Sequence, residues 1–266
     1  MFLSEPGQTA YDINFSFLGF PVRVHPAFFI LPLLLGKGLV SYAVIADPEG
    51  MNMGAGLVLV AAIFFVSILI HEVGHAVAFR YYGIPSRIVL YWMGGLAIPG
   101  GAGGKWGNQK RSQSLNSNQQ IVVSLAGPVF GFLLAVAAVA IVYLVGGHVV
   151  KYDGTIPLPL PMLEGTMLAG SGPAFVLLWG FIVLNIILNL FNLVPIYPLD
   201  GGQVARQLMI QMDPQDGPRN SIYLSIAVAV LVALFCFSIK QQYLGVFMGF
   251  MAWSNYQTLQ RFSRPW

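Results

Sequence analysis

The chain has 266 residues, 56% of them hydrophobic and only 9% charged, with 13 basic against 10 acidic side chains and a formal charge of +3. Soluble domains carry roughly a quarter charged residues, and the mean hydropathy here is +0.72, so a soluble globular protein is excluded. The length suits about six membrane helices of roughly 20 residues each in one compact domain. In such a protein the basic residues report topology first, and no nucleic-acid partner is expected.

The start, Met1-Phe2-Leu3-Ser4-Glu5-Pro6, has no basic n-region and does not read as a cleaved signal peptide. From Tyr11 to Val24, apolar residues alternate about Leu18-Gly19, which predicts a hairpin on a membrane face. His25-Pro26 opens a first span to about Ala46, made irregular by Pro32, Gly36 and Lys37. A second span runs from about Gly56 to Tyr82 and carries His71-Glu72-Val73-Gly74-His75. Ser86 to Pro99 is too interrupted for a spanning helix and reads as two short strands around Gly94-Gly95. Irregular backbone at membrane depth must be satisfied by protein or water, so this hairpin is expected to lie against the bundle beside the His-Glu-His triplet. Gly100 to Gln120 is a polar, glycine-rich surface loop that could act as a mobile gate.

The third span, Ile121 to about Val145, contains Ser124-Leu125-Ala126-Gly127-Pro128-Val129-Phe130-Gly131, whose small residues allow close packing on the second span. His148 to Gly172 is read as a loop. The fourth span, about Pro173 to Leu193, ends in the proline-interrupted segment Asn192 to Gly202. A short helix to Gln211, a fifth span at about 221–239 and a sixth at about 244–259 complete the chain. The expected fold is an all-α membrane protein, residues 1–266 as a single domain, with a small β-hairpin or sheet at the cytoplasmic side of the site. Its core covers about 56–211, preceded by the hairpin and first helix at about 11–46 and followed by helices at about 221–259. Cys236 stands alone in an apolar run, which rules out an intrachain disulfide and suggests inert packing.

Placing both termini in the cytoplasm puts ten basic residues, among them Arg23, Arg80, Arg87, Lys105, Arg206 and Arg261, on that side, against Lys37, Lys151 and Lys240 elsewhere. His71, His75 and Asp200 then share one membrane depth, near the cytoplasmic ends of their helices.

An ionisable residue inside an apolar span costs a few kcal/mol or more on insertion scales, so two imidazoles and a carboxylate there call for a function. On a helix His71 and His75 face the same way one turn apart, which suits a single tetrahedral zinc, and Glu72 beside them suits a general base. The bland alternative is hydrogen bonding between helices. Asp200 is the candidate third ligand, or else the N-cap of the helix that follows. Asn185, Asn189 and Asn192 form a polar stripe along the fourth span. Asn192 could donate to an oxyanion, whereas Asn185 and Asn189 are read as helix-to-helix hydrogen bonds. His25 is left between a cap, a supporting group near the site and a membrane-interface position. His148 is read as a surface residue.

These motifs together, His71 to His75, the Gly94-Gly95 hairpin, Ser124 to Pro128 and Asn192 to Gly202, resemble the site-2 protease family of intramembrane zinc metalloproteases. The resemblance implies one zinc held by His71, His75 and Asp200, Glu72 as general base and Asn192 as transition-state helper. It also implies cleavage of transmembrane protein substrates within the lipid bilayer, in regulated intramembrane proteolysis or clearance of signal-peptide remnants. The expected setting is the plasma membrane. No segment is long enough for a PDZ domain, nor is there room for a CBS pair after the sixth span. A substrate segment would unwind and add as a strand to the hairpin, placing Gly94, Gly95, Leu96 and Ala97 in substrate binding. The rival readings are a membrane transporter with a metal site and a noncatalytic helix-binding scaffold.

Overall fold

In the computed structural model, residues 5–30, 32–33, 52–100, 115–151, 161–164 and 172–262 are described. Most of the expected first span and most of the expected gate loop lie outside them. The described chain is mostly helical, and it divides into one unit of Met1–Lys110 with Val129–Asn189 and another of Arg111–Pro128 with Leu190–Trp266.

Helix α1, Met53–Tyr81, is apolar around its whole circumference and starts at an N-cap, where the Asn52 side chain accepts from the Ala55 amide at 2.8 Å. With α2, Ser117–Leu144, and α5, Gly217–Ser238, it is long and apolar enough to cross a membrane, and the fourth apolar stretch, Leu177–Asn192, is shorter. Helix α3 spans Gly172–Asn192, α4 Asp200–Met212 and α6 Gln242–Phe262. Outward apolar side chains such as Val58 in the first unit and Leu231 in the second suit a lipid-facing surface.

The two expected hairpins of the first unit merge into one sheet. Strands β1, Ile13–Phe17, and β2, Phe20–Val24, turn through Leu18 and Gly19, both at positive φ, a backbone twist that matches the strands. Strand β3, Ser86–Tyr91, then pairs parallel with β2, Val22 opposite Ile88 and Val24 opposite Leu90. It pairs antiparallel with β4, Gly94–Pro99, which ends the order β1-β2-β3-β4. Phe20, Val22, Val24, Ile88 and Leu90 bury one face against Val60, Phe64, Ile68 and Val73 of α1. Full burial of such side chains stabilises by about 1.5–3 kcal/mol each relative to water.

Two boundaries differ from expectation. The 148–172 segment contains an antiparallel pair, β5 His148–Lys151 with β6 Pro161–Glu164, where a loop is expected. Helix α2 begins at Ser117, inside the stretch read as loop, because Asn116 and Gln119 cap each other reciprocally, amide to side chain, at 2.8 and 3.0 Å.

An ion-pair network ties the N-terminal segment to the sheet. Arg23 of β2 meets Glu5 and Asp12 at 2.9 Å each, and Glu5 also takes Arg87 of β3 at 2.7 Å. The Thr9 hydroxyl, with help from the Arg23 guanidinium, holds the Asp12 carboxyl down to about 2. Because its folded value is depressed, Asp12 favours the folded arrangement above the ordinary 3.8, and that contribution is lost as pH falls through about 2. Arg23→Ala is expected to expose residues 5–12 to protease at neutral pH while α1 stays helical. Equal protection of the variant in a limited-proteolysis time course would disprove the network's role.

Candidate metal centre

All of the triplet lies on the buried face of α1, with His71 3%, Glu72 5% and His75 8% exposed. The two imidazole Nε2 atoms stand 3.1 Å apart, with the rings inclined at 78°. A ligand atom from each of His71, Glu72 and His75 lies within 4.8 Å of the others. Two nitrogens on one tetrahedral zinc, bonded at roughly 2.0–2.1 Å, would stand about 3.4 Å apart, so the donor set fits such an ion with a shift of a few tenths of an ångström. The chemistry fits as well, because a dication offsets the burial of a carboxylate between two imidazoles.

Two other elements close on the triplet. Nδ1–H of His71 donates to Asn189 Oδ1 of α3 at 2.8 Å. Asn189 Nδ2 donates in turn to the Asn185 carbonyl, and Asn185 Nδ2 donates to Ser67 Oγ of α1 at 2.9 Å. On the other side, Gly95 of β4 backs directly onto Glu72, and a Cβ at Gly95 would overlap the Glu72 Cγ and carboxylate. Burial pushes the neighbouring Tyr91 phenol above its ordinary value of 10, and the Glu72 charge adds to the effect.

The first unit thus brings together His71, Glu72 and His75 with Gly95 of the hairpin. Gly94 begins β4 at φ +116 opposite Tyr91, while Leu96 and Ala97 pair with Val89 and Ile88. Asn192 and Asp200 belong to the second unit, Asn192 as the last residue of α3 and Asp200 as the first of α4. The N-cap position falls on Leu199, with no side-chain cap bond, so Asp200 is not the cap. The segment before Asp200 is held at Tyr197, whose amide donates to Ser225 Oγ at 2.9 Å and whose carbonyl accepts from Asn255 Nδ2 at 2.6 Å. His25 is a cap: its Nδ1 accepts from the Ala27 amide at 3.1 Å at the start of a 3-10 turn. His148 is exposed at the start of β5. The sequence reading passed over Tyr91, which carries no motif, and saw in Asn189 only an interhelical bond.

Comparison with known proteins gives a consistent result. The profile described as Peptidase family M50 matches residues 59–235. A Synechocystis sp. protein provisionally named a zinc metalloprotease is 30% identical over 202 residues, 74% of this chain and 44% of that protein. A zinc metalloprotease of Methanocaldococcus jannaschii is 22% identical over 202 residues, 75% of this chain and 46% of that protein. The chain therefore matches less than half the length of either relative. Among solved structures, the site-2 protease from Methanocaldococcus jannaschii superposes with a TM-score of 0.52 at 21% identity, covering 94% of this chain and 95% of that one. This chain shares its fold.

Gly95→Ala is expected to force the Glu72 side chain or β4 to move and to cost about 1–3 kcal/mol, the usual range for overpacking. The measurement is thermal unfolding of the purified chain in detergent, and an unchanged midpoint would contradict the close approach of β4 to Glu72.

Proposed function

The chain belongs to peptidase family M50, and from that premise we propose that it is an intramembrane zinc metalloprotease that hydrolyses peptide bonds in or near transmembrane segments of membrane-bound proteins. The observation that carries this reading is the buried His71-Glu72-His75 group, with His71 hydrogen-bonded through Nδ1 and Glu72 pressed against the edge strand β4.

In this proposal His71 and His75 hold zinc through their Nε2 atoms, and Asp200 is the third ligand. Bound there, zinc supplies a Lewis acid that polarises the scissile carbonyl and acidifies water. Glu72 takes a proton from the attacking water and returns it to the leaving amine. Asn192 donates a hydrogen bond to the developing oxyanion.

Peptide bonds in a helix are shielded by their own backbone hydrogen bonds, so the substrate segment has to be extended. Among the described residues β4 ends its sheet, and an edge strand offers backbone donors and acceptors for strand addition. Gly95 of that strand backs onto Glu72, which supports a substrate paired with Gly94, Gly95, Leu96 and Ala97. The basic-residue bias supports both termini on the cytoplasmic side; the proposed location is the plasma membrane, the partners being a transmembrane substrate and the bilayer. Regulated release of membrane-bound factors or clearance of signal-peptide remnants fits this chemistry.

Glu72→Gln is expected to keep zinc and lower kcat/KM by roughly 10²–10⁴-fold, the range for loss of a general base. Undiminished proteolysis by the purified variant would overturn the assignment of Glu72. Asp200→Ala is expected to lose most of its zinc in elemental analysis, and full retention would remove Asp200 from the ligand set. In cells, comparative membrane proteomics of wild type and Glu72→Gln should reveal a membrane protein that accumulates as an uncleaved precursor.

A further inference from the structure

We propose that Asn189 is a positioning residue that fixes the tautomer of His71 and thereby turns its Nε2 lone pair toward the metal. The proposal rests on the reading of the triplet as a zinc site and adds a residue to it.

A neutral imidazole carries its proton on one nitrogen and its lone pair on the other, and the partner of the first decides which is which. An asparagine could present either an oxygen or an NH2 to that nitrogen. Here the choice is made by Asn185, one turn earlier on α3. The Asn189 Nδ2 is committed to the Asn185 carbonyl, so Oδ1 faces His71 Nδ1. Rotating the amide by half a turn would set its oxygen against the Asn185 carbonyl and its NH2 against Nδ1–H, breaking both bonds.

Two further features hold that geometry. The amide sits where a Cβ of Gly131 on α2 would be, so a glycine is what leaves room for it. Asn185 Nδ2 donates to Ser67 Oγ, fixing α3 to α1 one turn before His71. Asn185 and Asn189 are both 0% exposed, and in such surroundings a hydrogen bond is not screened by water. The stripe therefore divides its work. Asn185 supplies the interhelical bond, and Asn189 supplies an acceptor to one particular imidazole nitrogen.

The test uses the full chain purified in detergent. Zinc dissociation constants are measured by competition with a chromophoric chelator, and the ligand field is read from the visible absorption of the cobalt-loaded protein. Asn189→Ala and Asn189→Leu are expected to weaken zinc binding about 10–100-fold, as is usual when a partner of a ligating histidine is removed. Asn189→Asp keeps an acceptor oxygen for Nδ1–H and, with its other oxygen protonated, still donates to the Asn185 carbonyl; it is expected to bind zinc more tightly than Asn189→Ala. Asn185→Ala removes an equally buried side-chain bond but leaves the carbonyl that takes the Asn189 NH2, and is expected to lower Tm and to cost less zinc affinity than Asn189→Ala. Wild-type affinity and spectrum in Asn189→Ala, or an Asn189→Asp variant no better than Asn189→Ala, would overturn the proposal. A wild-type chain that binds neither zinc nor cobalt would overturn the zinc reading itself, and this proposal with it.

Discussion

The arrangement of the first unit follows from one constraint: α1 carries two imidazoles and a carboxylate through surroundings with little water. Each such group must find a partner inside the protein, because a buried polar group without one is costly. The neighbours of α1 meet that demand in different ways. Helix α3 brings amides, α2 contributes a glycine that makes room for one of them, and the sheet contributes a glycine strand against the carboxylate. The apolar residues around these contacts form the core that holds the polar groups in register.

The sheet shows how a small β element serves a helical protein. The parallel pairing of β2 with β3 joins two segments more than sixty residues apart and leaves β4 at the end of the order. With β3 covered on both sides by its neighbours, β4 is the terminal strand among the described residues, and its Gly95 lies against Glu72. An edge strand is usually a liability because its unpaired backbone groups invite association. Where an extended peptide has to be received, the same groups become a binding surface.

Much of this was legible in the sequence, and the exceptions have physical reasons. Long apolar runs define spans by themselves, so α1, α2, α3 and α5 begin and end within a few residues of their expected limits. His71, Glu72 and His75 share one helical turn, which makes their convergence a local property. The β2–β3 pairing was hidden because strand partners chosen across long separations leave no local pattern. The start of α2 is marked in the sequence by the capping-box spacing of Asn116 and Gln119, but the glycine-rich stretch before them masks it. Asn189 could be placed on the inner face of α3 from its spacing, but not against one nitrogen of one histidine, since that depends on the Asn185 carbonyl, which takes the Asn189 NH2 and leaves Oδ1 for His71.

The second unit applies the same logic to a segment without regular structure. Between α3 and α4, Pro195 and Pro198 carry no amide hydrogen, and the chain there cannot complete a helix or a strand. Buried backbone groups in such a stretch need side-chain partners. Tyr197 receives both of its own from the C-terminal helices, Ser225 of α5 accepting from the amide and Asn255 of α6 donating to the carbonyl. Ile196 beside it is fully buried, and Gln207 of α4 donates to Gln120 of α2 at 2.7 Å. The position of Asp200, three residues after Tyr197, is therefore set by helices that lie far beyond it in the chain. Helices α5 and α6 thus help to fix the backbone leading into Asp200, through Ser225 and Asn255.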